Sequence, residues 1–331
     1  MMTKFAKMKV LIVGLRGLGV ETAKNLILAG PGQVDLCDGE IVTVDDLGAN
    51  FYLRQEHVGK ERRDVACLKQ LRELNNYVKV NQVDYTKDMF TNYNLVCITH
   101  TLLPISQLIE INQECRANKV GFILAETLGV SGYVFVDFGD KHIVTDLDGE
   151  PCRQFILSGV EQDENGYVTV HEDKRHSFQD GDYVKFREVE GMAELNDLEP
   201  VQIFDCKPFS FKIKQDTRGF GAYKMNGVVE NVKVPTEQSF KSLAEVFADP
   251  AAADIQGFLQ NPSMKYMGMQ RSEQLHLAFR AVHGFREAHA GAFPETAEQQ
   301  DECIGIANSL NEEGKAAGRL NVEELDKDVV R

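Results

Sequence analysis

Dense apolar runs alternate with helical periodicity over residues 1 to about 153. VLIVGL is short and almost wholly apolar, as a buried parallel strand should be. GVETAKNLILAG then spaces Val20, Ala23, Leu26 and Ile27 as one helix face, and Gly30-Pro31 stops it. QVDLCDGE reads as a second strand. Residues 60–75 read as a charged helix with Val65, Leu68, Leu71 and Leu74 on or near one face. NLVCITH, residues 104–118 and GFILAE continue as strand, helix and strand. Repetition of this kind predicts an α/β, Rossmann-like parallel sheet with helices on both faces.

From 154 to 234 the texture changes. YVTVH, DYVKFREV, VQIFD, FSFKI and GVVENVKV are short runs separated by Glu164-Asn165-Gly166, Gln179-Asp180-Gly181 and Pro208. This spacing predicts a small antiparallel β-barrel of five or six strands. From 235 to 331 helical patterning returns. SEQLHLAFRAVHGFREAHA places Leu275, Ala278, Phe279, Val282 and Phe285 on one stripe. Asn261-Pro262 and Phe293-Pro294 read as breaks between helices, and VEELDKDVVR as a helix cut short, so the bundle is expected to be truncated at its C-terminal end.

Charge narrows the function. The chain carries 51 Asp and Glu against 36 Lys and Arg, a formal charge of -15. Nucleic-acid and membrane-surface binding would need clustered cations, and are not expected. The seven cysteines form no CxxC pair, so a zinc site is not expected and a reduced intracellular setting is. Cys37, Cys67 and Cys97 fall inside predicted strands or helices, and Cys152 and Cys206 have no neighbouring base in sequence, so no cysteine is expected to be catalytic. His276 and His283 lie seven apart on one predicted helix and are expected to be packed or solvated rather than metal ligands.

The chemistry-bearing feature is Gly14-Leu15-Arg16-Gly17-Leu18-Gly19, placed between the first strand and the first helix, where a nucleotide loop belongs. Arg16 stands where such a loop needs glycine for close approach of backbone to phosphate, while Gly17 and Gly19 still permit the turn. Asp38 ends the second strand, where an acid could hold a ribose hydroxyl. These features alone also suit a nicotinamide-dependent oxidoreductase, although no His-plus-Asp proton relay accompanies them.

Longer matches go further. GLRGLGVETAKNLILAG, DLGANFYLRQEHVGKERRDVACLKQLRELNNYVKV, ETLGVSGYVFVDFGDKHIVTDLDGEP, RHSFQDGDYVKFREVEGMAELN and EQLHLAFRAVHGF, in this order, resemble the N-terminal part of single-chain ubiquitin-activating enzymes. The resemblance implies an inactive adenylation domain at 1–153, the first catalytic-cysteine half-domain at 154–234 and a four-helix bundle at 235–331. It also implies a parent enzyme that adenylates ubiquitin with ATP and Mg, forms a thioester and supplies a conjugating enzyme. Such an enzyme would be cytoplasmic and nuclear. Activators of other ubiquitin-like modifiers share the layout.

In that family the active adenylation copies carry an Asn-Arg-Gln run, a GKxK run and a magnesium-holding acid. The matching places here read Gly48-Ala49-Asn50, Gly59-Lys60-Glu61-Arg62 and Cys97-Ile98-Thr99-His100. The resemblance therefore implies no catalytic residue and no cofactor in this chain, with Gly14, Arg16, Gly17, Gly19 and Asp38 as a degenerate loop. The family's inactive copy also starts with a short helix whose arginine reaches the partner's ATP, and no such arginine precedes Gly14. Partners would be the active adenylation domain of the parent and ubiquitin, with self-association of the isolated chain through the exposed docking face. The barrel is expected to face ubiquitin through Tyr183, Lys185 and Arg187, which share one strand face, with Arg175 and Glu188 beside them.

Overall fold

The computed structural model describes residues 5–99, 103–128, 131–147, 149–171, 175–248 and 272–317. It divides into one unit of Met1–Lys141 with Ser239–Arg331, and a second of His142–Gln238.

The first unit includes β1 (Lys9–Val13), α1 (Gly17–Ala29), β2 (Gln33–Cys37), α2 (Arg63–Glu73), β3 (Lys79–Gln82), β4 (Leu95–Ile98), α3 (Ile105–Ala117), β5 (Gly121–Leu128) and β6 (Ser131–Asp137). The sheet order is β3-β2-β1-β4-β5-β6. The first five strands are parallel, and β6 returns antiparallel to β5. Alternate residues of each strand feed opposite faces. Val10, Ile12, Val34 and Leu36 pack with Val20, Ala23 and Ile27 of α1 and Cys67 and Leu71 of α2. Leu11, Val13, Val96, Ile98, Phe122 and Leu124 pack with Ile105, Leu108, Ile111 and Cys115 of α3. Each buried Val, Leu, Ile or Phe among these contributes roughly 1.5–3 kcal/mol by leaving water.

Gly30 ends α1 in the left-handed region at φ 90°, and its amide donates back to Leu26 and Ile27. In α2 the buried positions are Arg63, Asp64, Ala66, Cys67 and Leu71. Val65, expected on the apolar face, is instead exposed. The face turned inward carries an arginine and an aspartate, which the search for apolar periodicity passes over. Among the described residues, three helices follow the second unit in sequence: α4 (Leu243–Ala248), α5 (Ser272–Ala288) and α6 (Ala297–Ala316). Thr296 caps α6 in a reciprocal box with Gln299. In α5 the buried side chains are Leu277, Ala278, Ala281, His283, Phe285 and Arg286, a wider face than the predicted stripe. Asn261-Pro262 and the 322–331 run lie outside the described residues. No described helix is long and apolar enough to cross a membrane.

The second unit is a closed barrel of β8 (Gln154–Val160), β9 (Tyr167–Val170), β10 (Tyr183–Arg187), β11 (Val201–Lys207), β12 (Ser210–Ile213) and β13 (Val228–Val232), ordered β10-β11-β12-β9-β8-β13. A short ribbon of β7 (His142–Val144) and β14 (Thr236–Gln238) accompanies it. Its core gathers Leu157, Val168, Val184, Phe186, Ile203, Phe211, Ile213 and Val229. The strand that the sequence pattern did not single out is β8, where a register shift between Leu157 and Gly159 breaks the alternation.

Candidate functional site

The glycine loop leaves the end of β1, where the sheet order reverses between β2 and β4. Nucleotides sit at this place in open α/β sheets. Gly14 turns the chain at φ 88°. Its amide donates to the Cys37 carbonyl at 2.9 Å. The Leu15 amide donates to Asp38 Oδ2 at 2.7 Å, and the Leu15 carbonyl accepts from Asn50 Nδ2 at 2.9 Å. Thr99 Oγ1 donates to the Gly14 carbonyl at 2.8 Å. Gly19 is required by space: a Cβ there would lie 2.0 Å from the Gly14 oxygen and 2.5 Å from Thr99 Oγ1. A Cβ on Gly17 would lie 2.9 Å from that of Ala49. Arg16 precedes α1 and makes no side-chain cap. Its guanidinium is 3.3 Å from Asp46 and its side chain is 43 % exposed.

Beneath the loop lies a charge network centred on Arg63, which is 1 % exposed. Arg63 Nε donates to Asp46 at 2.8 Å, and Nη1 lies 3.4 Å from Asp38 and pairs also with Glu40. Arg62 donates to Asp64 at 2.7 Å and to Asp84 at 2.6 Å. Asp64 is fully buried and accepts from the Asp38 amide at 3.1 Å. Burial raises the Asp38 carboxyl, against the Leu15 amide and Arg63, which pull it down. At Asp46 burial also pushes upward, but the Thr43 amide and Arg63 outweigh it and leave the carboxyl below its ordinary range. Asp38, Glu40, Asp46, Asp64 and Asp84 thus surround Arg16, Arg62 and Arg63, an excess of negative charge.

The structure brings Gly14, Arg16, Gly17 and Gly19 into one turn with Asp38 bonded to it through the Leu15 amide. Of the other matched positions, Asn50 is buried against Leu15 and Cys67, Thr99 is buried under the loop, and Lys60 and Glu61 are exposed. His100 lies outside the described residues. Arg63, Asp46 and Asp64, which hold this site together, were not singled out from the sequence. The available signal was the Arg62-Arg63-Asp64 run at the start of a helix, where cations oppose the helix dipole unless acids surround them.

On the barrel, Tyr183, Lys185 and Arg187 lie on the outer side of β10, because Val184 and Phe186 between them are buried. Opposite them on β13 stand Val232, Glu230 and Val228. Arg187 donates to Gln154 at 2.6 Å, and Gln154 donates to Glu230 at 3.1 Å. Ile156, paired with Val228, is 62 % exposed on the same side. Glu188 follows the strand at φ 59°. Arg175 is exposed on the connection from β9 to β10, outside the strand. Cys37, Cys67, Cys97, Cys115 and Cys303 are buried, and Cys152 is exposed. Burial pushes the Cys206 thiol up to about 12, and the Asp180 carboxylate adds to it.

Two family models match this chain: the ubiquitin-activating enzyme E1 FCCH domain over residues 163–233 and the ubiquitin-activating enzyme E1 four-helix bundle over residues 234–311. A relative called ubiquitin-activating enzyme E1 1 in Candida albicans (strain WO-1) is 41 % identical over 300 residues, which is 91 % of this chain and 28 % of the relative. Ubiquitin-like modifier-activating enzyme 1 of Homo sapiens is 37 % identical over 336 residues, covering 100 % of this chain and 30 % of that protein. Ubiquitin-activating enzyme E1 1 of Arabidopsis thaliana is 37 % identical over 328 residues, 97 % of this chain and 29 % of the relative. The chain spans less than a third of the length of these relatives.

Proposed function

The chain is a homologue of part of the ubiquitin-activating enzymes E1 and carries their FCCH and four-helix-bundle regions, and from that premise we propose that it supplies the non-catalytic part of such an enzyme. The parent would adenylate ubiquitin on ATP and Mg, form a thioester and pass ubiquitin to a conjugating enzyme. This chain would contribute an inactive adenylation fold on which the active one docks, and one wall of the ubiquitin site.

The observation that carries the reading is the use of the loop's polar groups within the protein. Adenylation needs free cations on the phosphates and a free acid for the metal. Here the Leu15 amide and the Arg63 guanidinium are both spent on Asp38, and acids outnumber the arginines around them. A triphosphate would meet net repulsion and no open backbone amide at Leu15. The residues therefore do not fit Mg-ATP, and no chemical step is assigned to them. The engagement of Asp38 counts equally against a nicotinamide cofactor, since its carboxylate is not free for a ribose.

Exposed apolar side chains on the same unit, Ile41, Val44 and Phe51, suit a docking face or self-association. Tyr183, Lys185 and Arg187 suit contact with a folded modifier, with Arg175 and Glu188 beside them. Calorimetric titration of ATP and magnesium into the chain tests the reading of the loop: no saturable heat is expected, and saturable binding would overturn it. Pyrophosphate release on mixing the chain with ubiquitin and ATP would overturn the assignment of chemistry to the rest of the parent. Several relatives are called ubiquitin-like modifier-activating enzyme 1, so the charging assay of the full-length parent should run ubiquitin beside other such modifiers.

A further inference from the structure

The hairpin of α5 and α6 has an apolar core of its own, formed by Ala278, Ala281, Phe285, Cys303, Ile304 and Ala307. The sheet face beside α3 has a separate one, which includes Phe122, Phe135 and Leu243. Between the two lies a seam of polar side chains. Glu126 of β5, His283 and Arg286 of α5 are 3 %, 2 % and 1 % exposed.

Arg286 Nη1 donates to Glu126 Oε1 at 3.1 Å. Tyr133 of β6 donates its hydroxyl to Glu126 Oε2 at 2.9 Å. That hydroxyl lies 2.8 Å from His283 Nε2, and with its own proton directed at Glu126 it accepts from the imidazole. The Arg286 guanidinium also covers the Phe293 ring at 4.6 Å. The rings of Phe279 and Phe247 close the seam against Tyr133 and His283 at 5.0 and 5.6 Å.

An apolar seam tolerates sliding and substitution. A buried charge chain does neither. It adds little net stability over a well-packed apolar replacement, yet losing one partner strands a charge away from water. We infer that Glu126, Tyr133, His283 and Arg286 form a charge-dependent bolt that seats the α5–α6 hairpin on the sheet and lets it undock as a unit when the charges are mismatched. The bolt shares no residue with the glycine loop and does not depend on the functional reading above.

The test is hydrogen exchange on the full chain, comparing Glu126→Leu, Arg286→Leu and the double variant. Each single substitution is expected to raise exchange about 100-fold or more in α5, α6 and β6, while β1 to β4 and the barrel keep their protection. The double variant, with no charge left to strand, is expected to return to within about tenfold of the parent sequence. Three results would overturn the bolt: single variants with unchanged protection, loss that spreads through β1 to β4, or a double variant no better protected than the singles.

Discussion

Arg63 shows how much a single residue carries here. Its guanidinium sits among Asp38, Glu40 and Asp46, so Arg63→Met would leave buried carboxylates without a counter-charge. A loss of about 3–5 kcal/mol is expected in urea unfolding of the chain. Arg16→Ala removes a half-exposed ion pair with Asp46, and a loss of no more than about 1 kcal/mol is expected. Gly19→Ala tests the loop's packing. The added Cβ would fall on the Gly14 carbonyl, backbone that cannot swing aside, and a loss of about 3 kcal/mol is expected in the same assay. At this scale the sequence was partly legible. The glycine spacing marked the turn, with Gly14 at φ 88° and Gly19 packed on it. The spending of Asp38 on Leu15 and Arg63 was not legible, because it joins positions 23 and 25 apart in the chain.

Among the elements, α5 carries the clearest pH signature. Burial pushes His283 from an ordinary 6.5 down to about 4, and nearby Arg286 pushes the same way against the opposing Glu126. The folded state therefore holds the imidazole neutral where the unfolded chain would protonate it. Stability from this group is full above pH 6.5 and is lost as pH falls toward 4, by on the order of 3 kcal/mol. Urea midpoints measured from pH 7.5 to 4 should decline more steeply for the parent sequence than for His283→Gln. Equal slopes would mean that His283 does not titrate with folding. The sequence placed α5 correctly, but its apolar stripe named Leu275 and omitted the buried His283 and Arg286. A helix face reads as polar when its partners are Glu126 and Tyr133, more than a hundred residues away in the chain. Likewise β8 escaped the pattern, since its register shift between Leu157 and Gly159 interrupts the alternation on which strand recognition rests.

For the whole molecule, net charge and exposed surface set what can bind. With a formal charge of -15, association with a basic partner should weaken as salt rises, whereas docking through Ile41, Val44 and Phe51 should not. Titrating ubiquitin into the chain at low and high salt would read the charged contribution, and sedimentation of the chain alone at the same two salts would read the apolar one. The triple change of Tyr183, Lys185 and Arg187 to Ala is expected to weaken that binding about tenfold or more without changing the thermal midpoint of the chain, because all three point outward. Unchanged affinity would remove β10 from the proposed ubiquitin surface.

The alternation of strands and helices in the first part, most of the short antiparallel strands after residue 154 and the long helix from Ser272 were legible in the sequence itself. They rest on local periodicity, which a linear chain displays directly. The ordered motifs likewise carried the family resemblance. Only the tertiary structure paired the Leu15 amide and Arg63 with Asp38 and brought Glu126, Tyr133, His283 and Arg286 into one buried chain. Both depend on charges paired across long separations, and the burial that makes such pairs consequential exists only once the chain has folded.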